Sequence, residues 1–353
     1  MSMSSWSDIG LAGSDWASET DGELIDREDC GDSDVFSGDE FDSSPHKESA
    51  ASSAVASVNS SIRENKYYRG RRYQMCRFRR YLLPNDIVEQ DREDLQHLMT
   101  MELTGGKRIL APIGNHPRRI LDLGTGTGIW AVEVGDRYPF AEVAGVDLSP
   151  IQPRWTPPNV NFYIDDIEEE WMNGSDFDLI HARNICRFIQ DPAALLRKSF
   201  DNLKPGGWIE LQDIDDTLHC DDNTMINMDE YPVAQFLDIS AGVWAGVGAD
   251  ARIAPSLGQL LETAGFNNVS CKKFKVPIGA WPRDAKLKSL GTYFRVVLEM
   301  LIPAICVTPA VMAEWTETKA DQFAVRCRQS VQDASVHSYM YFYFWQGQKP
   351  PEI

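Results

Sequence analysis

Between Arg118 and Ile214 the chain alternates short apolar runs with segments of helical character, and no other feature limits the fold as tightly. The runs "RRILDLG", "AEVAGVDL", "NVNFYID", "FDLIHAR" and "WIELQDI" read as strands. Between them, "IWAVEVGDRYP" reads as a helix ending near Pro139, and "PAALLRKSFDNLKPGG" as a helix with a glycine stop. Strands this short and this apolar need cover on both faces, which helical crossovers supply in a mostly parallel sheet. The expected class is therefore α/β. After Asp216 the alternation loosens. Residues 230–265 and 284–330 read as helical, and "NNVSCKKFKVPIG" and "VHSYMYFYFWQGQKP" as two late strands.

The first strand hands over to the first helix through "RRILDLGTGTGIW", Arg118 to Trp130. A parallel sheet binds ligands outside the carboxyl ends of its strands, where the strand order switches. Gly124, Gly126 and Gly128 occupy such a turn, with Thr125 between the first two. Glycine permits positive φ and removes the Cβ that would keep a ligand off the backbone. The helix that follows adds unsatisfied N–H groups and about half a positive charge at its N-terminus. The loop therefore suits close approach by a polar group.

The acids around the loop narrow the choice of ligand. A dinucleotide loop would read GxGxxG; this one reads DxGxGxG, with Asp122 inside it. A carboxylate there repels a pyrophosphate and suits an ammonium group, which disfavours a nicotinamide enzyme. Asp147, followed by Leu148, ends the second strand, where a carboxylate accepts both hydroxyls of a ribose. Asp166, followed by Ile167, comes after the third strand and is placed to accept from an exocyclic adenine amine. Asp165 exchanges roles with it if the register slips by one. Ammonium, ribose and adenine together describe S-adenosylmethionine. The competing reading is a similar sheet with a different nucleotide site.

Charge is unevenly spread. The chain of 353 residues carries a formal net charge of -19, which disfavours unaided binding to nucleic acid or an anionic membrane. Residues 1–50 hold fourteen Asp/Glu against Arg27 and Lys47, so the rest is only mildly acidic. Residues 1–60 have too few large apolar side chains to offset ordering entropy and are expected to be a disordered acidic tail. Its isolated Trp6, Trp16, Phe36 and Phe41 are either partner-docking anchors or incidental to a solubilising tail. Residues 61–115 form an expected N-terminal lid segment, mostly helical. It opens with the basic run "RENKYYRGRRYQMCRFRRY", which is a nuclear address, a nucleic-acid contact or a solvated face beside aromatics that pack on the domain. Asn85 or Asp86 would cap the helix after it, with Val88, Leu95, Leu98, Met99 and Leu103 as its apolar face. Seven scattered cysteines without CxxC spacing suit a reducing, intracellular setting, cytoplasmic or nuclear. The apolar stretch from Tyr293 to Met312 contains Arg295, Glu299 and two prolines, and reads as a buried helix and a turn rather than a membrane span.

The motifs "YLLPNDIVEQDREDLQHLM", "RRILDLGTGTGIWAVEVGDRYPFAEVAGVDLSPIQPRWTPPNVNFYIDDIEEEW", "FDLIHARNI" and "LKPGGWIELQD" resemble class I S-adenosylmethionine-dependent methyltransferases. More narrowly, they resemble the fungal LaeA-like group linked to regulation of secondary metabolism. The resemblance runs from about Glu64 onward and implies a Rossmann-like, seven-stranded, mostly parallel sheet with a reversed last strand. Residues 116–353 would be the methyltransferase domain, with substrate-side helical insertions at 217–335. By position, Gly124, Gly126 and Gly128 would shape the cofactor loop, Asp122 would sit by the methionine end, Asp147 would hold the ribose and Asp166 the adenine. Arg183 and Asn184 would line the mouth where methyl donor meets acceptor. The segment before "YLLPN" departs from the group's pattern at Gln74 and Cys76, while Tyr73 and Tyr81 would still close over the cofactor.

Methyl transfer from a sulfonium needs positioning, and a base only where the acceptor is protonated at attack. His181 is the candidate base; strand alternation equally allows it to point into sheet–helix packing. Asp213, Asp215, Asp216, Asp221 and Asp222 read as a solvated acidic loop that attracts a cationic substrate, without the ligand set expected of a metal site. Trp155, Trp244, Trp281 and Trp315 are either acceptor-pocket walls or core. Two functions stand: a methyltransferase acting at O or N of a small fungal metabolite, and a nuclear regulator of secondary metabolism working through protein partners or protein methylation.

Overall fold

The computed structural model describes residues 65–74, 81–171, 174–225, 227 and 230–352. The acidic tail and most of the basic run's second half, Cys76 included, lie outside the described residues. Strands β1 (Asn65–Tyr68) and β2 (Arg71–Gln74) form an antiparallel hairpin, so the expected lid segment begins with strands rather than helix. Helix α1 (Ile87–Thr104) follows, capped by Asp86, whose Oδ1 accepts from Glu89 N at 3.1 Å. Of the two candidate caps, Asn85 instead accepts from Arg72 Nε at 2.9 Å. The apolar face expected of α1 holds in part: Leu95, Met99 and Leu103 pack into a hydrophobic core, whereas Val88 is 45% exposed. Ile87 and Leu98 are 66% and 50% exposed, whereas Glu89, Arg92, Gln96 and His97 are buried. This helix turns a polar face inward because what it covers is a cleft.

The main sheet holds β3 (Arg119–Leu123), β4 (Glu142–Asp147), β5 (Val160–Ile164), β6 (Phe177–Arg183), β7 (Leu203–Ile214), β8 (His219–Cys220), β9 (Asn267–Pro277) and β10 (Ser338–Gln348). Their order is β5-β4-β3-β6-β7-β10, with β9 on the far edge of β10. Neighbours from β5 to β7 are parallel, and β10 runs against both β7 and β9. The sheet is 8-stranded rather than seven-stranded because the two-residue β8 pairs with Ser338 and Tyr339. The crossovers are α2 (Ile129–Arg137) and α3 (Pro192–Asn202), and the later helices are α4 (Pro232–Ala245), α5 (Leu257–Thr263), α6 (Ala285–Cys306), α7 (Pro309–Glu314) and α8 (Glu317–Gln332). Glycine does not stop α3. The helix ends at Asn202 because Lys204 precedes a proline, which excludes it from helical backbone. Gly206 and Gly207 belong to β7, where pairing with β6 slips register between Phe177 and Leu179.

Register sorts the core by face. Ile120 pairs with Leu179 and Val143, and these three pack under α2 with Trp130 and Val134. One residue on, Leu121 pairs with Ile180 and Ala144 and faces α3 and α5 through Leu195, Leu196 and Leu261. Alternate strand residues thus fill two separate cores, as burial on both faces requires. A third core joins α1, α4, α6 and α8 to β10 through Phe236, Trp244, Phe294, Cys327 and Phe342. By length and composition α6 is the one described helix apolar enough to cross a membrane; its Leu290, Phe294, Leu298 and Ile302 are buried in this third core. Trp155 is 93% exposed, and Trp315 packs edge-on against Phe323.

Candidate active site

Strand order reverses about β3, with β4 on one side and β6 on the other. The cleft lies past the carboxyl ends of these strands, the switch point where an open α/β sheet binds its ligand. Its floor is the glycine loop. Thr125 N donates to Val146 O at 2.9 Å and Gly128 N to Thr125 O at 3.0 Å, which folds the loop back on β4. Gly124 has φ +65, and a Cβ there would lie 2.8 Å from Ile185 Cγ1. Gly126 has φ +56, and a Cβ there would lie 2.7 Å from Glu93 Oε2 of α1. The left-handed backbone demands glycine at both positions, and at Gly124 the Ile185 side chain adds close approach.

The acids divide their work. Asp147 Oδ2 accepts from Gly126 N at 2.8 Å and Oδ1 from Ser149 N at 2.9 Å. Burial pushes its carboxyl up to about 6 despite those bonds. Asp122 is buried, with Oδ1 2.7 Å from His181 Nδ1 and Oδ2 accepting from Thr125 Oγ1 at 2.7 Å. Asp165 Oδ1 accepts from Asp166 N at 2.8 Å, and Asp166 Oδ1 from Glu168 N at 2.9 Å. Both acids line the cleft with Leu148 and Ile167, so the register question between them stays open.

Helix α1 forms the roof. Thr127 Oγ1 donates to Asp94 Oδ1 at 2.6 Å, tying the roof to the floor. Arg92, Glu93 and Gln96 line the cleft with Tyr81. Glu93 Oε2 is enclosed without a hydrogen-bond partner, and burial, opposed by Arg92, pushes this carboxyl up to about 8. Arg183 Nη2 lies 2.9 Å from His97 Nδ1. Burial and then the Arg183 charge push His97 down to about 4, so its neutral ring accepts at Nδ1. Asn184, in left-handed backbone at φ 57, donates its N–H to Gln212 O at 2.7 Å and turns the chain along the cleft wall.

Of the residues singled out from the sequence, Asp122, Gly124, Thr125, Gly126, Asp147, Leu148, Asp165, Asp166, Ile167, Arg183, Asn184 and Tyr81 are brought to one cleft. Gly128 is off its wall and instead begins α2 beneath the Phe162 ring. Tyr73 is fully buried in the hairpin region, away from the lining. His181 lies at the cleft floor, but its ring is fully buried, stacked 3.7 Å from the Trp130 ring. It holds Asp122 in place, which the packing alternative allowed; the expected base position is not what this geometry gives. The acidic loop is also corrected: Asp213, Asp215 and Asp216 are buried, and Asp216 is paired with Arg187. Only Asp221 and Asp222 of the five reach solvent, beside Lys275 and His337. Among the described residues no group of three or more His, Cys, Asp or Glu is arranged to hold a metal ion. Sequence reasoning missed Arg92, Glu93 and Gln96, whose signal was a polar stripe on a helix with exposed apolar residues, and Arg187.

Comparison with known proteins settles the family. A model described as "Methyltransferase domain" matches residues 67–271. The chain belongs to that methyltransferase family. It is 34% identical over 302 residues to "Methyltransferase pytC" of Aspergillus terreus, covering 84% of this chain and 92% of that one. It is 32% identical to "Secondary metabolism regulator LAE1" of Cochliobolus heterostrophus, over 84% of this chain and 98% of that one. It is also 32% identical to "Protein-methionine methyltransferase laeA" of Emericella nidulans, over 86% and 81%. The cofactor of this methyltransferase is S-adenosylmethionine. The residues present fit it: a loop whose glycines leave the backbone open, an Asp147 carboxylate on that loop, and an enclosed Glu93 oxygen with no protein partner.

Proposed function

We propose that this methyltransferase acts on an oxygen or nitrogen of a small, largely apolar molecule. One observation carries the reading: the acids and glycines of the cofactor half open without interruption into a chamber walled by Phe188, Phe236, Trp244 and Phe294. When bound, S-adenosylmethionine supplies a methyl group already activated by the charge on sulfur. The chain's own task is then orientation and exclusion of water. Asp147 accepts the ribose hydroxyls while the N–H groups of Gly126 and Ser149 hold it still. Asp165 or Asp166 takes the adenine amine. Asp122, fixed by His181 and Thr125, offers negative charge to the ammonium end, and Arg183 and Asn184 face the meeting point of donor and acceptor.

A second reading is favoured by two relatives at 32% identity, a secondary metabolism regulator and a protein-methionine methyltransferase. There the acceptor is a protein side chain, and the acidic residues 1–60 recruit it. Both readings place the protein inside the cell, in the cytoplasm or nucleus. Calorimetry with S-adenosylhomocysteine tests the shared part: Asp147→Ala should bind at least about tenfold more weakly, equivalent to roughly 1.4 kcal/mol. Unchanged affinity would remove the ribose role. Incubating the purified protein with methyl-labelled cofactor and a cell extract separates the two readings. Label in low-mass compounds supports the first, and label confined to protein bands the second.

A further inference from the structure

The chamber beyond the cofactor half is mostly apolar; its polar groups are Ser240 of α4 and one charged pair. Arg187 and Asp216 both line it, both are buried, and the guanidinium Nη2 pairs with Asp216 Oδ2. The guanidinium carbon lies 5.2 Å over the ring of Phe188, itself a chamber wall. Its Nε is enclosed and has no hydrogen-bond partner in the protein. A guanidinium has five N–H donors and no lone pair to offer. Whatever completes this site must therefore bring an acceptor atom.

The nearby acids do not alter that demand, because none of them accepts from Nε. Asp213 accepts from Ile214 N at 3.0 Å and Arg187 N at 3.4 Å. Asp215 accepts from Thr217 Oγ1 at 2.8 Å, and Asp216 is held by Arg187. Arg252 Nε reaches only the Asp216 backbone oxygen, at 3.2 Å. A cationic substrate, which the acidic sequence invited, would meet the Arg187 charge and leave its Nε unanswered.

We propose that Arg187, oriented by Asp216, is the polar anchor of the acceptor subsite, and that the acceptor is an apolar molecule presenting a carbonyl or hydroxyl oxygen to it. This rests on the methyltransferase reading of the cleft and narrows its acceptor class. Asp216 fixes one edge of the guanidinium, Phe188 fixes its plane, and the aromatic walls take the hydrocarbon body. A protonated amine of the same size has no lone pair for Nε and is rejected.

Three probes on one ring system test it: 2-naphthol, naphthalene and 2-naphthylmethylamine, titrated by ligand-observed NMR against full-length protein saturated with S-adenosylhomocysteine. The expected order is 2-naphthol at least about tenfold tighter than naphthalene, with the amine weakest. Arg187→Met should bring 2-naphthol down to the level of naphthalene while leaving naphthalene unchanged. Should that variant fail to fold, the double variant Arg187→Met/Asp216→Leu replaces the whole buried pair by apolar groups, a change such sites tolerate, and should show the same loss of preference. Equal binding of naphthol and naphthalene, preference for the amine, a preference that survives either variant, or no binding by any probe overturns the proposal. Failure of the wild type to bind S-adenosylhomocysteine strikes instead at the methyltransferase reading, so the two are separable.

Discussion

Glu93 is the residue with the most pronounced consequence for pH. Burial raises its carboxyl from 4.5 to about 8, and Asp147 from 3.8 to about 6. The folded chain therefore binds more protons than the unfolded one between those limits, and stability falls as pH rises through them. The stabilising contribution of protonated Glu93 is complete below its unfolded value and gone above about 8. Glu93→Gln should flatten the decline, most visibly from about pH 6 to 8, above the range in which Asp147 titrates. Urea titrations across that range check it; parallel pH profiles for variant and wild type would contradict it. Residues differ in how visible such roles are beforehand. Asp147 and Gly124 are legible in the sequence because their place at the cleft follows from position in one strand–turn–helix unit. Glu93 and Arg187 are not, since each reaches the cleft through packing against a distant element, Gly126 for one and Asp216 for the other.

Elements show the same division. The central strands β3, β4, β6 and β7 declare themselves through apolar runs, because burial on both faces leaves no alternative pattern, whereas β9 is polar and largely exposed at the sheet edge. The cleft-facing stripe of α1 does not, because Arg92, Glu93 and Gln96 roof a polar cleft beside the apolar stripe of Leu95, Met99 and Leu103 that enters the core. Helix α6 carries a further constraint at Gly291, where a Cβ would stand 2.0 Å from Gly279 O. In an open helix, Gly→Ala stabilises by about 1 kcal/mol. Here the obstacle is backbone, which cannot rotate aside, so Gly291→Ala should reverse the sign and destabilise by about 1–3 kcal/mol, as overpacking does. Chemical denaturation measures it; a variant as stable as the parent would show that α6 can slide along β9.

At the scale of the whole molecule, the cleft joins pieces far apart in sequence: α1 above, the glycine loop below, and the third core's α4 and α6 at the far end. A ligand filling it should tighten the roof without touching helices elsewhere. With saturating S-adenosylhomocysteine, amide exchange in α1 should slow, while α8, which contributes nothing to the lining, stays unchanged. Uniform slowing, or none in α1, would break the link between roof and ligand. The order of assembly is a separate matter, and β10 governs it. Residues 338–348 lie between β7 and β9, yet they follow every one of their partners along the chain. While the polypeptide is being synthesised, β7 presents a bare edge until this last ribbon emerges, and β9 has nothing to join. A nascent chain of this protein therefore carries an open sheet edge from the completion of β7 until residues 338–348 emerge, and a product truncated before residue 338 keeps that adhesive flank.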